Sequence, residues 1–388
     1  MTRSARTFIV CAFGFVVLGM ATTTFGVVWP SVADDFGRSL GELGYITLAY
    51  GTGYTMSSFL SGRLAVRSSI GSLLTSAAMT ATIALIVLAV SPGWIIFLTA
   101  ALMLGLAGGQ IDAATNSYVA LRHGSREMGF IHGAFGIGAI IGPLLVTGSL
   151  ALGLSWRLAF VVLAVGELAY VTGLWVLTRP LEIPTDGQTT PAGSSSLRSP
   201  TLIWSVLLFA LYAGIATGLG AWVFTYLTEE RGLSDTAGGL AVTGHWIGFT
   251  AARLLLGSIV DRADPDRVMR WSAAATMAGI AIFWWSPATW VGFAALAFVG
   301  FAHGPIFPLE VLLTAQRFGP VLATNVVGYE IAAANVGGAL IPGLIGFLVD
   351  RFGLVSVPAS LLVVAALTWV AIEQLRSVSV GTVTAPTA

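Results

Sequence analysis

An aspartate at position 112 lies inside the apolar run Trp94 to Ala120, WIIFLTAALMLGLAGGQIDAATNSYVA. A helix of that length spans a bilayer. An ionisable group at the centre of a span costs roughly 2.5–3.5 kcal/mol on insertion scales, so it is tolerated where it meets a partner or a wet cavity. Asp112 therefore marks a transport path. Asn116 is its i, i+4 neighbour and can point into the same space. Gly105 and Gly109 share that stripe as a small-xxx-small pair, which lets a neighbouring backbone come close. Asp112 precedes Arg122 by ten residues, which at 1.5 Å per residue is about 15 Å, the depth of a central site. Drying favours a neutral carboxylic acid and wetting the carboxylate. A site that alternates between the two loads and releases a proton, and Asp112 is the expected coupling group, the alternative being an acid kept neutral by hydrogen bonds to neighbouring helices.

Other polar side chains fall in apolar runs. Glu330, in Gly-Tyr-Glu-Ile-Ala-Ala-Ala-Asn335, is a second candidate for proton coupling, with a packing hydrogen bond as the alternative; Asn335 shares its face only loosely. Glu310 precedes Arg317 by seven residues and reads as a gate contact. Glu167 reads as a packing residue. Candidate solute contacts are Gln110, Asn116, Asn335, the aromatic pair Trp222 and Tyr226, and His245 with Trp246. Arg253 is either a snorkelling arginine or a bidentate anchor for an anionic group. His132 is too shallow for a direct pair with Asp112, and His303 reads as packing. No histidine spacing of metal-binding type occurs, so no metal and no cofactor are expected.

These residues need a membrane scaffold to position them. The 388 residues are 56% hydrophobic and only 9% charged, too few charges to cover a soluble surface, which makes this a polytopic membrane protein. Net charge is zero, which argues against a nucleic-acid partner. The single cysteine, Cys11, excludes an internal disulfide framework. The N-terminal apolar stretch from Phe8 is too long for a secretory signal and reads as the first membrane helix.

Apolar runs predict twelve transmembrane helices, at roughly 8–30, 43–62, 69–90, 94–120, 128–152, 157–178, 202–228, 236–259, 269–286, 289–315, 321–348 and 356–375. With the N-terminus inside, 13 of the 18 arginines fall on the cytoplasmic side and four (Arg38, Arg157, Arg231 and Arg351) outside, with Arg253 left within a helix. This asymmetry places both termini in the cytoplasm. The Pro-, Gly-, Ser- and Thr-rich stretch 180–200 reads as a flexible linker. It divides a six-helix bundle at 1–179 from another at 201–388.

The halves repeat. At a shift of 195 residues, Gly62 meets Gly257, Gly105-Leu-Ala-Gly-Gly109 meets Gly300-Phe-Ala-His-Gly304, and Arg122 meets Arg317; Gly142-Pro143 meets Ile341-Pro342 at 199. In folds of repeated bundles the solute site lies near the midplane between the halves.

On these residues the chain resembles the major facilitator superfamily. Gly257-Ser-Ile-Val-Asp261-Arg262 is similar to its cytoplasmic gate motif. The equivalent Gly62-Arg63-Leu-Ala-Val66-Arg67 has valine where the family has an acid. Within the superfamily, Gly-Gly-Gln110-Ile-Asp112-Ala-Ala-Thr-Asn116 and the stretch Tyr212 to Leu227 resemble the fucose:proton-symporter-like sugar porters. The resemblance implies an all-α fold of two six-helix bundles in the inner membrane. It also implies alternating access, a proton-coupling acid at Asp112, a cavity-lining Asn116 and gating by Asp261, Arg262, Arg63 and Arg67. The chain departs from those relatives at Ala216 and Gly26, where they carry acids. The expected function is proton symport of a sugar or similar small polar solute by a monomer in the lipid bilayer, with proton-driven efflux as the alternative. The glycine–proline run Gly136 to Pro143 keeps efflux open, as it partly resembles an antiporter motif. An enzyme is not expected, since no nucleophile–base pair, phosphate loop or metal cluster is present.

Overall fold

The computed structural model describes residues 3–65, 68–123, 125–177, 199–260 and 263–383, and among them it contains helices and no strand. The helices are α1 (Arg3–Phe36), α2 (Leu43–Ala65), α3 (Ile70–Val90), α4 (Trp94–Arg122), α5 (Ser125–Ala151), α6 (Arg157–Leu177), α7 (Pro200–Thr225), α8 (Asp235–Val260), α9 (Pro265–Trp285), α10 (Thr289–His303), α11 (Ile306–Phe352) and α12 (Ser356–Val383). Among the described residues, nine segments are long and apolar enough to cross a membrane. The three helices outside that set, α2, α8 and α9, are also long but carry more Ser, Thr, Tyr, His or charge.

Local chemistry sets the boundaries. Ser199 caps α7 by accepting the Leu202 N–H at 3.1 Å, and Pro200 fills the first turn, where its missing N–H is no loss. Ser69 caps α3 in the same way through Ser72. The expected break near 315–321 falls at Gly319, whose φ of 74° suits glycine and turns the chain within α11. The tenth span, expected over 289–315, is one apolar segment at Thr289–Gly319. Its hydrogen bonding is locally interrupted between His303 and Ile306, where Pro305 offers no N–H to the carbonyl one turn back. The stretch 180–200 lies outside the described residues except at its end, where α7 starts.

Two groups of helices pack by one scheme. In the first, α1 meets α5 and α6, α4 meets α2 and α3, and α3 meets α6. In the second, α7 meets α11 and α12, α10 meets α8 and α9, and α9 meets α12. The correspondence holds at the atomic level. A Cβ on Gly53 would lie 2.3 Å from the Leu102 carbonyl, and one on Gly248 would lie 2.1 Å from that of Ala297. The same group on Gly105 would meet the Tyr50 carbonyl at 2.0 Å, and on Gly300 that of His245 at 2.0 Å. Each pair is 195 residues apart. Small residues thus bring helices together where a lipid solvent gives little hydrophobic push.

The groups touch through α5 with α8, α2 with α11 and α1 with α7. Towards the end that carries Asp350, they meet backbone to backbone. A Cβ on Gly44 would sit 2.8 Å from the Gly343 carbonyl, and one on Gly26 2.1 Å from that of Gly220. Gly51 is held against Ala339, with 2.2 Å for an added Cβ. Outward-facing Ile95, Phe347 and Trp290 are 70%, 70% and 75% exposed, an apolar exterior suited to lipid rather than water.

Candidate functional site

A cavity of about 240 Å³ lies between the two groups, beside the sealed end. The first group supplies Thr22, Phe25 and Gly26 from α1, Ile46, Thr47, Tyr50, Gly51 and Tyr54 from α2, and Phe135 from α5. The second supplies Ala213, Thr217, Gly220 and Ala221 from α7, Trp246 from α8, and Ala334, Asn335, Gly338, Ala339 and Pro342 from α11. Hydroxyls, an amide and aromatic faces therefore share one wall. Tyr50 and Thr22 hydroxyls stand 3.2 Å apart. The Trp246 ring lines the wall, and its buried indole N–H has no hydrogen-bond partner among the described residues.

Asp112 stands one layer behind this wall. Asn116 Nδ2 donates to Asp112 Oδ1 at 2.8 Å, and the Tyr54 phenol is its other close polar neighbour. The glycine stripe creates this arrangement. A Cβ on Gly109 would lie 2.2 Å from the Tyr54 carbonyl, and one on Gly108 3.1 Å from the Tyr50 hydroxyl. Without those side chains α2 lies close against α4, and Tyr54 stands between Asp112 and the cavity.

The expected site residues divide into distinct places. Trp246 and Asn335 line the cavity, and Asp112 with Asn116 adjoins it through Tyr54. Trp222 does not reach it: the ring is fully buried, and its indole N–H is committed to the Pro342 carbonyl at 3.0 Å. Tyr226 is also displaced, because α7 passes there into a wider π turn and the phenol accepts from Arg231 Nε at 3.0 Å. Gln110 is buried and donates to Ser61 Oγ at 3.1 Å, a contact between α4 and α2. His245 is buried against α10, with Nδ1 3.3 Å from the Leu296 carbonyl.

Arg253 does not snorkel. Its guanidinium turns inward, donating to the Tyr212 hydroxyl at 2.9 Å and lying 4.3 Å over the Phe249 ring, and it is outside the cavity wall. Glu330 points away from Asn335 and the cavity. Ser205 Oγ lies in hydrogen-bond contact with its Oε1, and Thr314 Oγ1 donates to the same oxygen at 2.7 Å. Glu310 Oε1 receives Arg317 Nη1 at 2.7 Å, and Arg317 Nη2 reaches Asp266 at 3.2 Å. Glu167 is buried, with Oε2 lacking a partner among the described residues. Of the gate residues, Arg67, Asp261 and Arg262 lie outside the described residues, and Arg63 lies on α2 with its side chain likewise outside them. No group of His, Cys, Asp and Glu suited to a metal occurs among the described residues.

Thr22, Thr47, Tyr50, Tyr54 and Thr217 are wall residues that the sequence reading passed over. One signal was present: Thr22 and Thr217 are 195 apart, so the repeat presents a threonine from each half to the same space.

Comparison with known proteins fits this architecture. The profile of the Major Facilitator Superfamily matches residues 11–237 and 221–380. The chain belongs to the Major Facilitator Superfamily. As a member of that superfamily it is a membrane transporter. It is similar to Bypass of stop codon protein 6 of Saccharomyces cerevisiae, with 26% identity covering 92% of this chain and 80% of that protein. It is also similar to the Glucose/mannose transporter GlcP of Bacillus subtilis, with 21% identity over 87% of this chain and 86% of the relative. Among solved structures, a D-xylose-proton symporter superposes with a TM-score of 0.76 at 13% identity, covering 95% of this chain and 98% of that one. That last likeness concerns the fold alone.

Proposed function

We propose that this superfamily member imports a sugar or similar small polar solute together with protons. It does so by rocking two six-helix bundles about the central cavity. Twelve membrane spans and cytoplasmic termini complete this reading, in a monomer of the inner membrane. The observation that carries it is the closeness of a largely apolar, aromatic cavity, edged by a few hydroxyls and the Asn335 amide, to one mid-span carboxyl, Asp112, which neighbours the wall tyrosine Tyr54. Hydroxyls and the Asn335 amide suit the many hydroxyls of a sugar, and the Tyr50, Tyr54 and Trp246 faces suit its ring. The orientation drawn from arginine asymmetry makes the sealed end external, so the cavity serves the cytoplasmic side in this state.

Asp112 takes a proton with the solute and gives it up on the inside, with Asn116 holding the carboxyl in place. Arg317, bonded to Glu310, acts at the cytoplasmic gate together with Arg63, Arg67, Asp261 and Arg262. The similar glucose/mannose transporter of Bacillus subtilis supports a sugar-like solute. A cavity of about 240 Å³ falls below the roughly 300–1,000 Å³ of drug-sized sites, which weighs against drug efflux.

A thermal-shift screen of the purified protein tests solute class. Selective stabilisation by a sugar is expected, since a solute that binds only the folded state raises the midpoint. Stabilisation by lipophilic cations alone would replace import with efflux.

A further inference from the structure

A buried pair of carboxyls lies outside the cavity. Glu310 and Glu330 are 1% and 0% exposed, and each lies within hydrogen-bond reach of the same hydroxyl, Ser205 on α7. Ser205 Oγ is 3.2 Å from Glu310 Oε1 and in close contact with Glu330 Oε1. A serine hydroxyl has one hydrogen to donate and lone pairs with which to accept. If both carboxyls were ionised, two buried anions would compete for that single hydrogen. The geometry is satisfied when one carboxyl carries a proton and donates it to Ser205 while Ser205 donates to the other.

Neighbouring charge decides which one. Glu310 Oε1 already receives Arg317 Nη1 at 2.7 Å, and that guanidinium also bonds Asp266 on α9. Among the described residues, Glu330 is bonded by the Ser205 and Thr314 hydroxyls. Arg270 of α9 and Glu373 of α12 bond each other at 2.6 Å and stand apart from the network. Among the described residues Arg317 bonds Glu310 and Asp266, whereas Glu330 receives hydrogen bonds from hydroxyls and none from a cation. A buried carboxylate held by hydroxyls is disfavoured against one that is ion-paired.

We propose that Glu330 and Glu310 share one proton through Ser205, and that its position controls the grip on Arg317. In the first state the Glu330 O–H donates to Ser205 Oγ, whose own O–H donates to the Glu310 carboxylate, which holds Arg317. In the transfer step the Glu330 O–H bond breaks and its proton joins Ser205 Oγ. The original Ser205 proton passes to Glu310. Ser205 is unchanged in composition, Glu330 becomes the carboxylate, and Glu310 becomes a neutral acid that no longer pairs with Arg317. Arg317 is then held by Asp266 alone. Proton position is thereby linked to an ion pair that ties α11 to α9. The link to transport rests on the proton-coupled reading above, whereas the shared proton itself does not depend on it.

Infrared difference spectroscopy of the purified protein in lipid tests this without knowledge of the solute. At neutral pH the wild-type spectrum minus that of Glu330→Gln should contain one carboxylic-acid C=O band. Ser205→Ala should keep the band, shift its frequency and slow its hydrogen–deuterium exchange. Should Glu330→Gln fail to purify as a single species, the Ser205→Ala shift carries the test. An unchanged acid C=O region in Ser205→Ala, or in a well-folded Glu330→Gln, would overturn the shared proton. If both bands behave as expected, Ser205→Ala should also lower solute accumulation several-fold with exchange retained. Unaltered accumulation there, with Asp112→Asn still unable to accumulate, would remove the relay from transport and leave the Asp112 reading intact.

Discussion

Asp112→Asn should lose uphill accumulation of solute while retaining solute exchange across the membrane. Asparagine nearly preserves the size of the side chain, so the contact with Asn116, now at 2.8 Å, and the packing behind Tyr54 can persist. What disappears is the ability to bind and release a proton. One proton moving down a potential of 100 mV supplies about 2.3 kcal/mol, and each 1.4 kcal/mol is tenfold in an equilibrium ratio. Coupling to that potential therefore sustains an inside-to-outside solute ratio of roughly fifty. In the variant the ratio should fall to one. Counterflow, which needs only that the loaded protein reorients, should continue. Paired accumulation and counterflow assays in the same vesicles check this. Undiminished accumulation would remove Asp112 from the coupling step, whereas loss of both activities would point to a structural role.

Gly105→Leu and Gly300→Leu should each prevent recovery of folded protein, and to a similar degree. At both positions the first added carbon would lie 2.0 Å from a backbone carbonyl, of Tyr50 in one half and His245 in the other. A backbone atom cannot swing aside as a side-chain tip does, so two helices must separate. Overpacking of this sort costs about 1–3 kcal/mol or more, and separating α2 from α4 also moves Tyr54 away from Asp112. Gly148→Leu is the matched control, because nothing lies within 4 Å of its added Cβ. Yield of the monodisperse species on size-exclusion chromatography measures the effect. Wild-type yield from Gly105→Leu would mean that α2 and α4 are not packed as described.

Much of the scaffold was legible in the sequence because a bilayer leaves few options for a polar backbone. The apolar runs, the glycine stripe of α4 and the 195-residue repeat all reappear as packing in the structure. So does the Asp112–Asn116 pair, since i, i+4 geometry follows from the helix alone. Cavity lining was harder to read. Whether a side chain faces solute, lipid or another helix depends on how each helix is rotated, and hydropathy does not encode that. Trp222 and Tyr226 have the rings expected of a sugar site, yet a tertiary contact commits one to Pro342 and a local bond across the π turn commits the other to Arg231. Tyr50 and Tyr54 have the same chemistry and do line the cavity, because Gly105, Gly108 and Gly109 let α2 approach there. Glu330 was legible as a buried acid, but not its partner Ser205, which lies 125 positions away in the chain.

Proton movement on addition of solute to de-energised vesicles tests the central claim most directly. With the solute found by thermal shift and the protein in right-side-out vesicles, a pH electrode should record alkalinisation of the medium as solute and proton enter together. Asp112→Asn vesicles should give no change. Acidification would mean exchange of solute for protons. Solute entry with no pH change in the wild type would mean that protons are not the coupling ion.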